Sequence, residues 1–266
     1  MDRYGAMFAR LRGAGQGAFG AFVTLGDPSL AASADILDLL VEAGADMVEV
    51  GIPFSDPVAD GPVIQASAAR ALAAGVRPAD CFALLRGFRK RHPHVPVGIL
   101  TYANLVVGRG RDAFYAAAAK AGVDSVLVAD VPVLEAQPFA AAARAYGVAP
   151  VLIAAANTPP QRLKEIAKLG GGYTYCVARA GITGADEEVR FGHGAMLAAL
   201  QANGAPPPVF GFGISKPVHV EAALAAGAAG VICGSAIVER IAQGRLAELA
   251  AFISAMKSAS RRRKAA

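Results

Sequence analysis

The sequence predicts an α/β protein that folds as a (β/α)8 TIM barrel with one extra N-terminal helix. Eight short apolar segments alternate with segments of helical periodicity along 266 residues, which favours a closed barrel over an open doubly wound sheet. The short segments are mostly apolar on both faces, as expected for parallel strands covered by helices. A Rossmann fold is not favoured, because the glycines of GAGQGAFG (13–20) precede the first strand instead of following it.

Local signals place the elements in chain order. Apolar residues at helical spacing within 4–11 predict the extra helix, and Asp27 or Ser29 can cap the helix after strand one. The connection from a helix to the next strand has a repeated pattern, AGAD at 43–46 and AGVD at 121–124, in which glycine suits the end of the helix. Strands are predicted at 17–24, 47–51, 97–101, 125–129, 149–154, 173–177, 209–212 and 230–233. Helices are predicted at 30–43, 63–74, 78–91, 111–121, 134–146, 159–169, 194–202, 218–226 and 235–260.

Composition limits the class of protein. Hydrophobic residues make up 55% of the chain and charged residues 18%, and every long apolar run is broken by Gly, Asp or Glu, so we expect no membrane span. The N-terminus has early charges and no apolar core, which argues against a signal peptide. Cys81, Cys176 and Cys233 are far apart and odd in number, as is typical of buried thiols in a reducing compartment. We therefore expect a cytoplasmic protein.

The net charge of +5 is concentrated at the C-terminus, in the run RRRK at 261–264. Such a run can contact nucleic acid or a membrane surface, but at the end of an enzyme-like chain it is typical of a solvated terminus. The sequence thus predicts one barrel domain over 1–266, with a basic, frayed tail at 259–266. We expect neither nucleic acid nor a membrane as a partner.

The stretch GADMVEVGIPFSDPVADG (44–61) is the first candidate for chemistry. Glu49 lies among apolar neighbours near the end of a buried strand, so we expect its pKa to be raised. The following loop brings Asp56 and Asp60 within reach of Glu49, and a carboxylate on a loop can stay ionised. Two carboxylates in unlike environments are typical of acid/base catalysis. The alternative is that Glu49 pairs with a buried arginine and the aspartates only form turns.

Glycine-rich loops after the last two strands indicate a phosphate site. Gly211 and Gly213 follow strand seven, and Gly234 and Ser235 follow strand eight. Glycine lets backbone N–H groups approach a ligand, and a helix beginning at Ser235 directs its positive end toward the ligand. Barrels hold phosphate at these two loops. The alternative is that these glycines serve only the turns.

The segment 178–194 is longer and more polar than an ordinary loop between a strand and a helix, and we interpret it as a lid. A disordered insertion is the alternative. Its candidate site groups are Arg179, Thr183 and His193.

Metal and Schiff-base chemistry are not favoured. His92 and His94 precede strand three, at the wrong end of a barrel, so strand position predicts no metal cluster. Lys216 is the lysine nearest the mouth, but it begins a helix and does not lie on a desolvated strand. Carboxylate proton transfer beside a phosphate site is the chemistry that is left.

The motifs together resemble the tryptophan synthase α-subunit family. The resemblance runs from about residue 4 to 253, and EVGIPFSDPVADGP is its most specific part. Two departures are Ala178 where serine is common and AAANTPP at 154–160. The motifs are FVTLGDP (22–28), EVGIPFSDPVADGPVIQ (49–65), YANLV (102–106), SVLVADVP (125–132), RAGITG (179–184), GFGIS (211–215) and GAAGVICGSAIV (227–238).

The resemblance implies a lyase that cleaves indole-3-glycerol phosphate to indole and glyceraldehyde 3-phosphate by a retro-aldol reaction in tryptophan biosynthesis. Glu49 would move protons at indole C3 and the glycerol hydroxyl, and Asp60 would hold the indole N–H. The implied substrate-binding residues are Phe22, Leu100, Tyr175, Thr183 and Phe212, and the implied phosphate-binding residues are Gly184, Gly213, Gly234 and Ser235.

The resemblance also implies a partner, a β subunit carrying pyridoxal phosphate, in an α2β2 complex through which indole passes by a tunnel. The chain itself would bind no cofactor. Loop 53–60, Asn104 and Pro132 match family positions that face the partner, and an exposed loop with Phe54 is unusual for a lone enzyme. A stand-alone lyase of the same fold, a non-catalytic barrel subunit and another phosphate-barrel isomerase are the alternatives.

Overall fold

A computed structural model describes residues 2–177 and 193–261 and confirms the barrel. Eight parallel strands pair in chain order, and the last pairs with the first to close the sheet. Glu49 stands opposite Phe22 in the register of the first two strands. The strands are β1 (Ala18–Thr24), β2 (Met47–Gly51), β3 (Val97–Thr101), β4 (Ser125–Val128), β5 (Ala149–Ala155), β6 (Thr174–Val177), β7 (Pro208–Gly211) and β8 (Gly230–Cys233).

Helices cover the outside of the barrel, and Ser29, not Asp27, caps the first of them after β1 by accepting the N–H of Ala32. The extra N-terminal helix is α1 (Arg3–Gly13). The others are α2 (Leu30–Glu42), α3 (Pro62–Ala73), α4 (Pro78–Arg91), α5 (Ala103–Val107), α6 (Arg111–Lys120), α7 (Gln137–Ala145), α8 (Pro160–Leu169), α9 (Gly194–Ala202), α10 (Pro217–Ala225), α11 (Ser235–Ala242) and α12 (Leu246–Ser258).

Several predicted boundaries differ from those of the structure, and three of the differences have a clear physical cause. The predicted helix 134–146 is divided into a 3₁₀ turn at Val133–Glu135 and α7, because Pro138 fits only the first turn of a helix. Helix α5 was not predicted, since five residues are too few to show helical periodicity. Strand β7 ends one residue early, because Phe212 adopts a φ of 60°, which no strand accommodates.

The core has two layers that follow from the alternation of side chains along each strand. Val48 and Val50 pack outward against the helices, whereas Met47 lies in the barrel interior. Tyr4 and Phe8 of α1 belong to the same interior cluster, so this helix closes the N-terminal end of the barrel.

Buried carboxylates tie distant segments to that closed end. Asp46 precedes β2 and Asp124 precedes β4, and each accepts hydrogen bonds from two cationic side chains. The pairs join Asp46 to Arg10 and Lys257, and Asp124 to Arg3 and Arg89.

Of the predicted tail 259–266, the structure describes residues up to Arg261. Ser260 is buried, and Arg261 forms an isolated antiparallel bridge with Gln16. Residues 262–266 lie outside the described part, so fraying there stays a prediction. Within the described ranges, none of the helices has the length and apolar character needed to span a membrane.

Candidate active site

A cavity opens at the C-terminal ends of the strands, and nine of the predicted site residues line it. Thr183 and Gly184 lie outside the described residues, as does Arg179. The predicted residues that line the cavity are Phe22, Glu49, Asp60, Leu100, Tyr175, Phe212, Gly213, Gly234 and Ser235.

Glu49 carries a buried carboxyl group that has no cationic partner among the described residues. It lies in the middle of β2 on the inward face, and only 2% of the residue is exposed. The hydroxyl of Tyr173 donates to its Oε1 at 2.6 Å, while Oε2 is buried and has no hydrogen-bond partner among the described residues. Burial raises the pKa of Glu49 to about 7, against the lowering effect of the Tyr173 hydrogen bond. Glu49 can therefore both give and take a proton near neutral pH.

The two loop aspartates have different positions. Asp60 lines the cavity just before α3, and burial raises its pKa while a hydrogen bond with Tyr102 lowers it. Asp56 is exposed, binds the hydroxyl of Ser55 and does not line the cavity. The structure thus selects Asp60 as the partner carboxyl of Glu49.

The walls of the cavity are apolar and suit a flat aromatic ligand. Phe22, Leu100 and Phe212 come from three different strand ends, and the ring of Tyr175 contacts that of Phe212 edge-on at 5.7 Å between centroids. Glu49 and Asp60 are the acidic residues in this lining, so their carboxyl groups face such a ligand.

The glycine loops lie as predicted at one side of the cavity, but Gly211 has another role. Gly213 lines the cavity with a φ of 78°, a conformation that glycine adopts without strain. Ser235 opens α11, where the N–H groups of Ser235 and Ala236 have no acceptor inside the helix, while that of Ile237 donates to the carbonyl of Gly234. Gly211 is absent from the lining, because the ring of Tyr175 fills the space that a side chain there would need.

Sequence reasoning missed several residues of the site. Tyr173 precedes β6 and lies two residues before Tyr175, so alternation along the strand was the signal that could have found it. Ser215 lines the cavity, and its backbone N–H donates to Nδ1 of His219 at 3.3 Å. The other unpredicted lining residues are Ile64, Ile214, Ile232 and Ala236.

His193, a candidate lid group, is buried and does not line the cavity. Its ring contacts the ring of Phe210 at 5.0 Å between centroids, on the outward side of β7. Burial lowers the pKa of His193. No group of three or more His, Cys, Asp or Glu within the described ranges is placed to hold a metal ion.

The fold and the site define a class: (β/α)8 barrels with a buried carboxyl group at the mouth, beside glycine-rich loops. A family model described as tryptophan synthase alpha chain matches residues 8–265. The chain therefore belongs to the tryptophan synthase alpha chain family.

Relatives agree with this assignment. The tryptophan synthase alpha chain of Shewanella amazonensis is 53% identical over 98% of this chain and 100% of its own length. That of an Escherichia coli strain is 52% identical, with the same coverage. Among solved structures, tryptophan synthase subunit alpha of Legionella pneumophila is 29% identical with a TM-score of 0.87, covering 97% of this chain and 98% of its own. A Mycobacterium tuberculosis tryptophan synthase reaches a TM-score of 0.89 at 29% identity over the same shares.

Proposed function

We propose that this chain is the α subunit of a tryptophan synthase and cleaves indole-3-glycerol phosphate to indole and glyceraldehyde 3-phosphate. Family membership over nearly the whole chain supports the reaction. One observation carries the assignment of the acid/base group: Glu49 lies buried at the cavity with one oxygen unpartnered among the described residues and a pKa of about 7.

The first step is protonation of the indole ring. Glu49 in its acid form gives its proton to C3, which leaves an indolenine with positive charge at the ring nitrogen. The carboxylate of Asp60 accepts the N–H and stabilises that charge, an effect that is stronger in a partly buried site than in bulk water. A single buried carboxyl thus begins the reaction, and a second one supports the cation.

The second step breaks the carbon–carbon bond. Glu49, now a carboxylate, takes the proton of the hydroxyl on the carbon attached to C3. The C–O becomes an aldehyde, the bond to C3 breaks, and its electrons return to the ring to give indole. Glu49 ends protonated, as it began, so the atoms and electrons balance without an oxidant, a reductant or a cofactor in this chain.

The remaining residues position the substrate. Phe22, Leu100 and Phe212 enclose the indole ring, and Tyr175 supports Phe212. The backbone of Gly213 and Gly234 and the first turn of α11 at Ser235 hold the phosphate. Thr183, at the substrate, and Gly184, at the phosphate, stay predictions from the family.

We further propose a β subunit with pyridoxal phosphate as the partner in an α2β2 complex, and a cytoplasmic location. Exposed apolar side chains near the mouth support a partner: Val58 is 75% exposed, Leu134 62% and Val107 44%. They lie close in sequence to the loop 53–60, Asn104 and Pro132, which match partner-facing positions of the family.

Indole release by the purified chain tests the proposal, measured alone and with a tryptophan synthase β subunit. Slow release that rises many-fold when the β subunit is added supports the complexed α subunit. Fast release that the β subunit does not change would instead identify a stand-alone lyase. No release in either case would rule out the proposed substrate.

A further inference from the structure

The loop between β7 and α10 holds an unusual backbone. Phe212 and Gly213 follow each other with φ of 60° and 78°. Glycine adopts this region freely, but a phenylalanine there is strained and persists only where neighbouring groups hold it in place. The ring of Tyr175 contacts Phe212 on one side. A second contact acts on the residues that follow.

His219 provides that contact. It is the third residue of α10, and its side chain turns back so that Nδ1 accepts the backbone N–H of Ser215 at 3.3 Å. The backbone N–H of His219 donates to the carbonyl of Lys216 at 3.0 Å, so His219 binds the turn through both its side chain and its backbone. This resembles a capping box, in which the third residue of a helix reaches back to the chain that enters it.

The imidazole is suited to this role because it is neutral. His219 is buried, and burial lowers its pKa against the raising effect of a hydrogen bond to the backbone of Gly213. The imidazole is therefore neutral at neutral pH, and Nδ1 can accept the Ser215 N–H. Ser215 and Gly213 both line the cavity. The hydrogen bond therefore fixes the part of the loop that faces the ligand.

We propose that His219 is a positioning residue that holds the β7–α10 loop in the shape in which Gly213 and Ser215 meet the substrate phosphate. The inference rests on the phosphate site proposed above. His219 does not line the cavity, so it acts through the loop and not by contact with the ligand.

The test compares three variants of the full chain at pH 8. His219→Phe keeps a ring but removes the acceptor, His219→Asn restores an acceptor near the position of Nδ1, and Glu221→Gln changes an exposed residue of the same helix. We measure kcat and KM for indole-3-glycerol phosphate, the affinity for inorganic phosphate from the amide signals of Gly213 and Ser215, and the melting temperature.

We expect His219→Phe to raise KM and weaken phosphate binding roughly three- to tenfold, the range that one lost hydrogen bond spans, with kcat within about twofold. His219→Asn should recover most of this loss, and Glu221→Gln should match the parent. If the phenylalanine variant does not fold, His219→Leu takes its place.

Two results would overturn the inference: a lower melting temperature with unchanged KM and phosphate affinity, or an asparagine variant no better than phenylalanine. The first would mean that His219 only caps α10. Failure of the parent chain to release indole would contradict the proposed function alone, because the phosphate measurement still decides the role of His219. A parent chain that does not bind phosphate would overturn both the phosphate site and this inference.

Discussion

The two ends of the barrel treat buried carboxyl groups in opposite ways. At the N-terminal end, the side chains of Asp46 and Asp124 are 5% and 7% exposed, and each accepts hydrogen bonds from two cations. At the mouth, Glu49 is equally buried, yet the one hydrogen bond it makes within the described residues comes from the neutral hydroxyl of Tyr173. Within the described residues, the buried carboxylates at the N-terminal end therefore have cationic partners, whereas Glu49 at the mouth has none.

This difference separates carboxylates that stabilise the fold from a carboxyl group that can transfer protons. A carboxylate between two cations joins segments that are far apart in sequence, as Asp46 joins α1 to α12. A buried carboxyl group without a cation has its pKa raised and can exchange protons at neutral pH, which is costly for folding but useful for catalysis. The comparison can be tested by removing groups at each end and measuring cleavage and stability separately.

The largest effect on cleavage should come from Glu49→Gln. The amide keeps the shape and can still accept from Tyr173, but it cannot transfer a proton, so we expect kcat to fall roughly 10²–10⁴-fold. Indole release measures kcat, and circular dichroism checks the fold. A variant that cleaves at the parent rate would exclude Glu49 as the acid/base group.

Removing a carboxylate at the closed end should affect stability instead. Asp124→Ala leaves Arg3 and Arg89 without their acidic partner, and we expect the free energy of unfolding to fall by about 3 kcal/mol. Cleavage per folded molecule should not change. Glu165→Ala, which breaks the more exposed pair with Arg162, is the control and should cost below about 0.5 kcal/mol. Equal losses in the two variants would contradict the comparison.

The pH dependence of stability should show the cost of burying Glu49. Its pKa is near 4.5 in the unfolded chain and about 7 in the folded one, so the folded state holds the extra proton between these values. The free energy of unfolding should therefore fall as pH rises through this window, by about 3 kcal/mol at roughly 1.4 kcal/mol per pKa unit.

Urea unfolding at pH 4 and pH 8 measures this contribution. The side chain in the Glu49→Gln variant does not titrate. The free energy of unfolding of the variant should therefore rise relative to that of the parent by about the same amount as pH rises through this range. A parent–variant difference that stays constant with pH would show that the Glu49 pKa is not raised.

The smallest expected effect is that of Tyr173→Phe. Its hydrogen bond lowers the pKa of Glu49, so removing the hydroxyl should raise that pKa further and shift the fall of kcat to higher pH. Cleavage at neutral pH should drop several-fold, as one lost hydrogen bond permits. Tyr175→Phe serves as the control. Equal pH profiles for the two variants would show that the Tyr173 hydroxyl does not set the pKa of Glu49.

Much of the site could be predicted because strand alternation and glycine loops are local patterns. Glu49 faces inward since it lies two residues from Met47, and Gly213 and Gly234 follow strands whose ends meet at one mouth. The contact that excludes Gly211 from the cavity, the positive φ of Phe212 and the hydrogen bond of His219 could not be predicted. They depend on which side chain fills a space and which backbone N–H needs an acceptor, and neither leaves a periodic signal in the chain.

The sequence by itself therefore determined the barrel, the order of its strands and the carboxyl group at its mouth, because apolar periodicity and turn residues act over a few positions. Only the tertiary structure decided which groups surround that carboxyl. Tyr173 and Glu49 are 124 positions apart, and Asp60 faces the cavity while Asp56 does not. Such contacts arise from closure of the barrel, which brings together the ends of strands that are remote along the chain.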